Sequence, residues 1–452
     1  MIIKYSKRLS SDLIWILLIM LFPLIGTLLY IILSNNMKRS KVLKNINENI
    51  ENGQKYLIQD EFIKKEIDTK NLGQLKYISE FAGFPVTKNN EINYYSLGDD
   101  VFPVMLEELK KAKKFIFIEY FIINNSTMWQ GILDILKEKA NSGLDVRVLY
   151  DDMGSFAMLP SNYPKLLGKY GIKCMQFNKL SPFAGIIMNN RDHRKMMIID
   201  GHTAFTGGIN ISDEYININS KLGVWKDNGI RIKGEAVWNF TVMFLEMWNS
   251  FKKEDNDYNK YKYNFTEKYK ENGFVVPYGE SPLDDVITGE DIYLNIINQA
   301  KKYVYIYTPY LIIDTDMINS LILAARRGVD VRIIVPGIPD KKIVYDLTSS
   351  YFYTLIKGGV KIYTYTNGFV HSKVFLSDAE IATVGTINMD YRSLYLHFEC
   401  GIYMKDTNVI KDIKKDFEDS FKESHKVEEK EAKNGLFKGL WQAILRLFAP
   451  MM

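Results

Sequence analysis

Two stretches of the 452-residue chain each pair an imidazole with an ammonium two residues on and a carboxylate five further. The first is HRKMMIID, running from His193 through Lys195 to Asp200. The second is HSKVFLSD, from His371 through Lys373 to Asp378. Each is followed by Gly-x-x-Asn, which supplies Asn210 and Asn388, and all these pairs stand 178 residues apart. One His-x-Lys alone is a weak signal, because such pairs are common on solvated strands. Two copies at one offset mark a duplicated site. Residues two apart on a strand face the same side, so each histidine is set beside its lysine. Phosphoryl transfer needs charge stabilisation on nonbridging oxygens, a nucleophile, and an acid for the leaving group. Two lysines and two asparagines supply cations and neutral donors, and two histidines can divide the nucleophile and general-acid roles. The candidate catalytic set is His193, Lys195, Asp200, His371, Lys373 and Asp378, with Asn210 and Asn388 on the phosphate. No Asp/Glu cluster suggests a two-metal site and no Gly-rich Walker loop is present. The expected reaction is therefore a double displacement without metal or cofactor.

The repeat extends to the elements that must position these motifs. Residues 101–112 read as a helix, 115–123 as an apolar strand, WQGILDILKEKANSG as a helix and 144–152 as a strand. Residues 292–300, 303–310, MINSLILAARRG and 329–337 repeat that order. KKFIFIE matches KKYVYIY, and SGLDVRVL matches RGVDVRII. Short apolar strands alternating with amphipathic helices predict α/β lobes with largely parallel sheets. Further on, WKDNGIRIKG and HFECGIYMKD align at an offset of 172, which sets Asp227 opposite Glu399. His202, His397 and His425 lack a motif partner and are expected to be solvated or packed. Glu119, in IFIEYF, either reaches the site or pairs with a surface lysine.

Composition bounds the rest. A net charge of +4 gives little support to a nucleic-acid partner. Cys174 and Cys400 are the only cysteines, and they read as buried apolar residues. Residues 13–33 form an uncharged apolar run, long enough for a membrane-spanning helix. Pro23 and Gly26 can kink it, and a re-entrant hairpin is the alternative. Lys4, Lys7 and Arg8 precede the run, and Lys38, Arg39, Lys41 and Lys44 follow it; their slight bias puts the C-terminal side in the cytoplasm. Residues 253–270 read as a surface excursion or linker. Apolar residues at helical spacing over 436–448 suit a membrane-interface helix or one packed on the enzyme's own core. The expected organisation is an anchor (1–37), a charged connector (38–75), a first lobe (76–275), a second lobe (276–425) and an amphipathic tail (426–452).

The paired motifs resemble those of the phospholipase D superfamily. YDDMGS at 150–155, GGINISDEY at 207–215, RIKGEAVW at 231–238, TPYLI at 308–312, GFVHSK at 368–373 and GTINMDYRSLYLHFE at 385–399 look like bacterial cardiolipin synthases in particular. The resemblance implies two phospholipase D-like lobes about a pseudo-two-fold axis. It also implies phosphatidyl transfer between two phosphatidylglycerol molecules through a phosphatidyl-histidine, giving cardiolipin and glycerol. His193 is the favoured nucleophile and His371 the acid/base, although a near-symmetric site does not declare its direction. Asp227 and Glu399 are implied to hold the far ring nitrogens, and Asp200 and Asp378 to serve structure more than chemistry. Anionic phospholipids and the cell membrane are the expected partners. Such synthases usually show two N-terminal membrane helices where this chain shows one run. Hydrolytic phospholipase D, a nuclease of the same superfamily and an inactive membrane scaffold are the competing readings.

Overall fold

A computed structural model describes residues 16, 18–35, 41–179, 190–269 and 273–449. In the first lobe the strands are β1 (Asn90–Tyr95), β2 (Phe115–Tyr120), β3 (Asp145–Asp151), β4 (Lys173–Phe177), β5 (Lys195–Ile199), β6 (Thr203–Gly207), β7 (Val224–Lys226) and β8 (Gly229–Gly234). All but β7 form one sheet in the order β1-β8-β6-β5-β2-β3-β4. The second lobe contributes β9 (Phe274–Glu280), β10 (Tyr303–Tyr307), β11 (Leu311–Ile312), β12 (Asp330–Pro336), β13 (Lys361–Tyr365), β14 (Gly368–Val370), β15 (Val374–Ser377), β16 (Ile381–Gly385), β17 (Met389–Asp390), β18 (Glu399–Lys405) and β19 (Ser424–Lys426). Its main sheet runs β19-β13-β12-β10-β15-β16-β18-β9.

The expectation of largely parallel sheets needs correcting, because both are mixed. Within these two sheets, β2-β3-β4 and β10-β12-β13 pair in parallel and the other neighbours are antiparallel. After those crossovers the chain returns as hairpins, β5–β6 and β15–β16. Their tight turns place Asp200 and Gly201 at φ +56° and +66°, and Asp378 and Ala379 at +55° and +58°. Turns this short can join only antiparallel neighbours, and Asp and Gly tolerate the left-handed region better than most residues.

The helix Val237–Phe251 lies between the lobes and is buried on nearly every face. Its Phe244 stacks on Phe117 of β2. The same continuous core takes in Tyr307, Val374 and Phe398 of the second lobe. The seam is therefore solid protein, and truncating Phe244 to alanine should cost about 3–5 kcal/mol. Residues 38–75 are more than a connector. The helix Lys41–Gly53 packs Leu43 and Ile46 into this shared core, and Ile67 enters the core of the second lobe. Residues 253–270 are likewise not a loose excursion, since Tyr258 and Tyr261 are buried and Asp255 binds Arg147. As β9 begins at Phe274 and belongs to the second sheet, the lobe boundary precedes residue 275.

The expected span at 13–33 lies partly outside the described residues. Among those described, no helix is long and apolar enough to cross a membrane. The helix Pro23–Asn35 has 13 residues, roughly 20 Å against the ~30 Å of a hydrocarbon core. The chain turns back on itself at Phe22 and Pro23. Gly26 sits so near Leu18 that a Cβ would lie 2.7 Å from the Leu18 carbonyl oxygen. Glycine is required at that approach. Met20, Leu21, Leu24 and Ile25 are exposed on this fold-back.

Candidate active site

Each lobe delivers its histidine just before the central strand of its hairpin, and the partner lobe covers it. The His193 amide donates to the Phe398 carbonyl at 2.8 Å, and the His371 amide donates to the Lys226 carbonyl at 2.8 Å. Asp192 bridges Phe398 in parallel, while β14 pairs in parallel with β7. Through this exchange the carboxylates cross between lobes. Glu399 accepts from Nδ1 of His193 at 2.8 and 2.9 Å, and Asp227 accepts from Nδ1 of His371 at 2.7 Å. All four groups are buried. A carboxylate on Nδ1 fixes the tautomer and aims Nε2 away from it.

The ammoniums are buried as well. Lys195 donates to the His193 carbonyl at 2.8 Å, and Lys373 contacts both the carbonyl and Nδ1 of His371. Burial pulls Lys195 down to about 8 and Lys373 to about 7. The Lys195 charge also acts on His371 and Lys373, so cations from the two lobes share one electrostatic site. Burial drives His193 down to about 3 and His371 to about 4, against the pull of their carboxylates. Both imidazoles are therefore neutral at pH 7. Burial pushes Glu399 up, but His193 outweighs it and leaves the carboxylate at about 2. An anion placed between the lysines would raise the proton affinity of both rings.

The remaining candidates divide. Asp200 and Asp378 lie at the far ends of β5 and β15 from the histidines. Asp200 accepts the amides of Lys113, Lys114 and Phe115 at 2.7–2.9 Å. Asp378 does the same for Lys301, Lys302 and Tyr303 at 2.8–2.9 Å. They pin the helix-to-strand corners and are not brought to the reacting groups. Asn210 is tied at both ends, accepting from Ile122 N at 3.1 Å and donating to Tyr215 Oη at 2.8 Å. Asn388 is buried, and its Oδ1 has no hydrogen-bond partner among the described residues. Glu119, expected either to reach the site or to pair with a surface lysine, pairs instead with buried Arg194 at 3.6 Å.

Sequence reasoning missed three residues. His397 was expected to be solvated or packed, yet its ring centroid lies 5.4 Å from that of His193. Its Nδ1 is 3.5 Å from Glu399, and neither ring nitrogen makes a hydrogen bond among the described residues. Trp225, its counterpart at the 172-residue offset, packs on His371 at 6.0 Å. Thr386 donates to Glu399 Oε2, whereas its counterpart Gly208 leaves room for Asp227; a Cβ there would lie 2.0 Å from Oδ1. The alignments GGIN/GTIN and WKD/HFE carried these signals. His202, by contrast, is packed between Thr203 and Tyr269, and His425 pairs with Glu431 at the surface. Among the described residues, one group has the spacing of metal ligands: His193, His397 and Glu399, with ligand atoms within 4.8 Å of one another.

Two mixed-sheet lobes that bring one His-Lys pair each to a common seam define a phospholipase D-like protein. A phosphatidylserine synthase from Haemophilus influenzae has this fold, with a TM-score of 0.62 over 84% of this chain and 98% of its own, at 15% identity. The chain belongs to the cardiolipin synthase family of phospholipase D-like proteins: the family model described as "Cardiolipin synthase, PLD-like domain" matches residues 105–248 and 293–421. A second model, "Phospholipase_D-nuclease N-terminal", matches residues 1–35. Cardiolipin synthase 1 of Staphylococcus aureus is 35% identical over 91% of this chain and 85% of its own length. An uncharacterized protein of Streptococcus mutans is 46% identical over 89% of this chain and 88% of its own.

Proposed function

We propose that this protein is a cardiolipin synthase that transfers a phosphatidyl group from one phosphatidylglycerol to another. The observation that carries this reading is the crossed pairing of His193 with Glu399 and of His371 with Asp227 at one seam. Nε2 of neutral His193 attacks phosphorus, and the bond from phosphorus to the glycerol headgroup oxygen breaks. His371, protonated in the presence of the bound phosphodiester, gives its proton to the departing glycerol. The phosphatidyl group is then held on His193. A hydroxyl of a second phosphatidylglycerol loses its proton to His371 and attacks phosphorus, releasing cardiolipin and neutral His193. Lys195 and Lys373 stabilise the nonbridging oxygens in both steps. Asn388 presents an amide there, whereas Asn210 acts by orienting Tyr215 and the backbone at Ile122.

The apolar fold-back around Pro23 supports a location at the cell membrane. In a hairpin both flanks share one side. Here both are basic, which favours the cytoplasmic face for the catalytic lobes. The test is product analysis with purified protein in vesicles of phosphatidylglycerol. Cardiolipin and free glycerol in equal amounts are expected. Phosphatidic acid without cardiolipin would replace the synthase with a hydrolase.

A further inference from the structure

The C-terminal helix Leu436–Leu447 is packed inside out. Two of its polar residues, Gln442 and Arg446, bind the protein. Gln442, 4% exposed, donates to the Asp346 carbonyl at 3.0 Å and to Ser349 at 3.1 Å. Arg446 donates to Ser350 Oγ at 2.9 Å and covers the Tyr351 ring at 4.6 Å. Leu445 is the one apolar side chain of this helix that is buried. Leu436 (85% exposed), Phe437 (89%), Leu440, Trp441, Ile444 and Leu447 point outward. A helix that only completed a core would turn these residues the other way. Single exposed apolar residues need no explanation, but a contiguous apolar face this size does.

What covers this face is indicated by its surroundings. The supporting helix, Lys342–Ser350, accepts the Leu311 amide on Thr348 Oγ1 at 3.2 Å. Leu311 in turn pairs with Met389, next to Asn388. At the other end of the same helix, the Ile338 amide donates to the Gly368 carbonyl, three residues before His371. The apolar face is therefore rooted on the same elements as the site. Between them stand exposed Ile338 and Ile343 with Lys341 and Lys342, and Lys438 is exposed on the helix itself. Exposed aliphatic and aromatic groups mixed with lysines match an anionic bilayer interface, where rings and methyls enter the acyl boundary and ammoniums meet phosphates. A second copy of this chain would bring like-charged lysines together.

We infer that the outward apolar face of the 436–447 helix docks on the surface of an anionic lipid bilayer and turns the mouth of the site toward the membrane that holds its substrate. This deepens the synthase reading and rests on it only for the purpose of the docking, because contact with lipid can be read without turnover.

The experiment uses the full chain in vesicles containing phosphatidylglycerol and phosphatidylcholine brominated on its acyl chains. Bromolipid should quench a fluorescence component of the parent that is missing from Trp441→Phe. The double variant Phe437→Asp/Leu440→Asp should lose that quenching. It should also make cardiolipin from bilayer phosphatidylglycerol about tenfold more slowly, while keeping its rate on a short-chain monomeric phosphatidylglycerol. Absence of Trp441 quenching in the parent would overturn the inference. So would an equal loss of rate on both substrates, or a cross-link at position 440 between copies with Trp441 shielded from bromolipid. A parent that quenches normally but forms no cardiolipin would sink the synthase reading and leave the docking intact.

Discussion

The two halves of the site share a scaffold and differ in their walls. In both, the partner lobe sends a strand past the histidine and sets a carboxylate on its Nδ1. Around His193 that lobe brings a third imidazole, His397, and a hydroxyl, Thr386, both beside Glu399. Around His371 the same positions hold Trp225 and Gly208, and Tyr215 and Phe369 close the ring. Duplication thus built a symmetric frame, and side chains at two aligned positions broke the symmetry. In the proposed mechanism the polar half would suit a ring that carries a covalent phosphatidyl group with its charge balanced by Glu399. The aromatic half would suit a ring that exchanges protons with an alcohol.

The largest effects test what the halves have in common. His193→Ala and His371→Ala should each lower cardiolipin formation by ~10⁴-fold or more, as expected when a nucleophile or its proton partner is removed. Rapid quenching should trap phosphohistidine on the peptide containing His193 in the His371→Ala protein. Label on the His371 peptide would reverse the comparison. Next come the crossed carboxylates. Glu399→Gln and Asp227→Asn should each cost roughly 10²-fold or more in kcat by misdirecting the tautomer. The Glu399 change should impair breakdown of the intermediate more, read as a burst followed by slow turnover.

Protonation separates the halves more finely. Lys373 loses its charge as pH rises through about 7 and Lys195 through about 8, while the imidazoles stay neutral down to about 4 and about 3. The value of kcat/KM for phosphatidylglycerol should therefore fall on the alkaline side, beginning near pH 7. Lys373→Arg keeps its charge and should move that limb upward toward pH 8. An alkaline limb unmoved by this change would mean that Lys373 does not set it. The smallest effect is on the polar wall. His397→Ala should slow turnover by about tenfold. It should also abolish inhibition by added Zn²⁺, which His193, His397 and Glu399 are spaced to bind, whereas EDTA should leave the parent rate unchanged.

Much of this was legible in the sequence because duplication doubled every signal. The 178-residue offset located the histidines, lysines and corner aspartates, and the 172-residue offset located Asp227 opposite Glu399. That each carboxylate serves the other lobe's histidine was not legible, since alignment pairs equivalents and says nothing about which copies touch. Strand direction was misjudged because apolar runs look alike in parallel and antiparallel sheets, and only the paired turn residues Asp200 and Asp378 encode the difference. His397 was passed over because it has no histidine counterpart, although the lack of one is what distinguishes the two halves. Residues 38–75 read as a charged connector because a few buried positions, Leu43, Ile46 and Ile67, are diluted among charges.

The crossing of the carboxylates also sets an order in time. A nascent chain emerging from the ribosome carries His193 and its lysine long before Glu399 has been translated. Until the closing strands of the second lobe arrive and dock, the first imidazole lacks the anion that orients it. An unfinished polypeptide therefore has no assembled site, and its two halves come together only when synthesis is nearly complete.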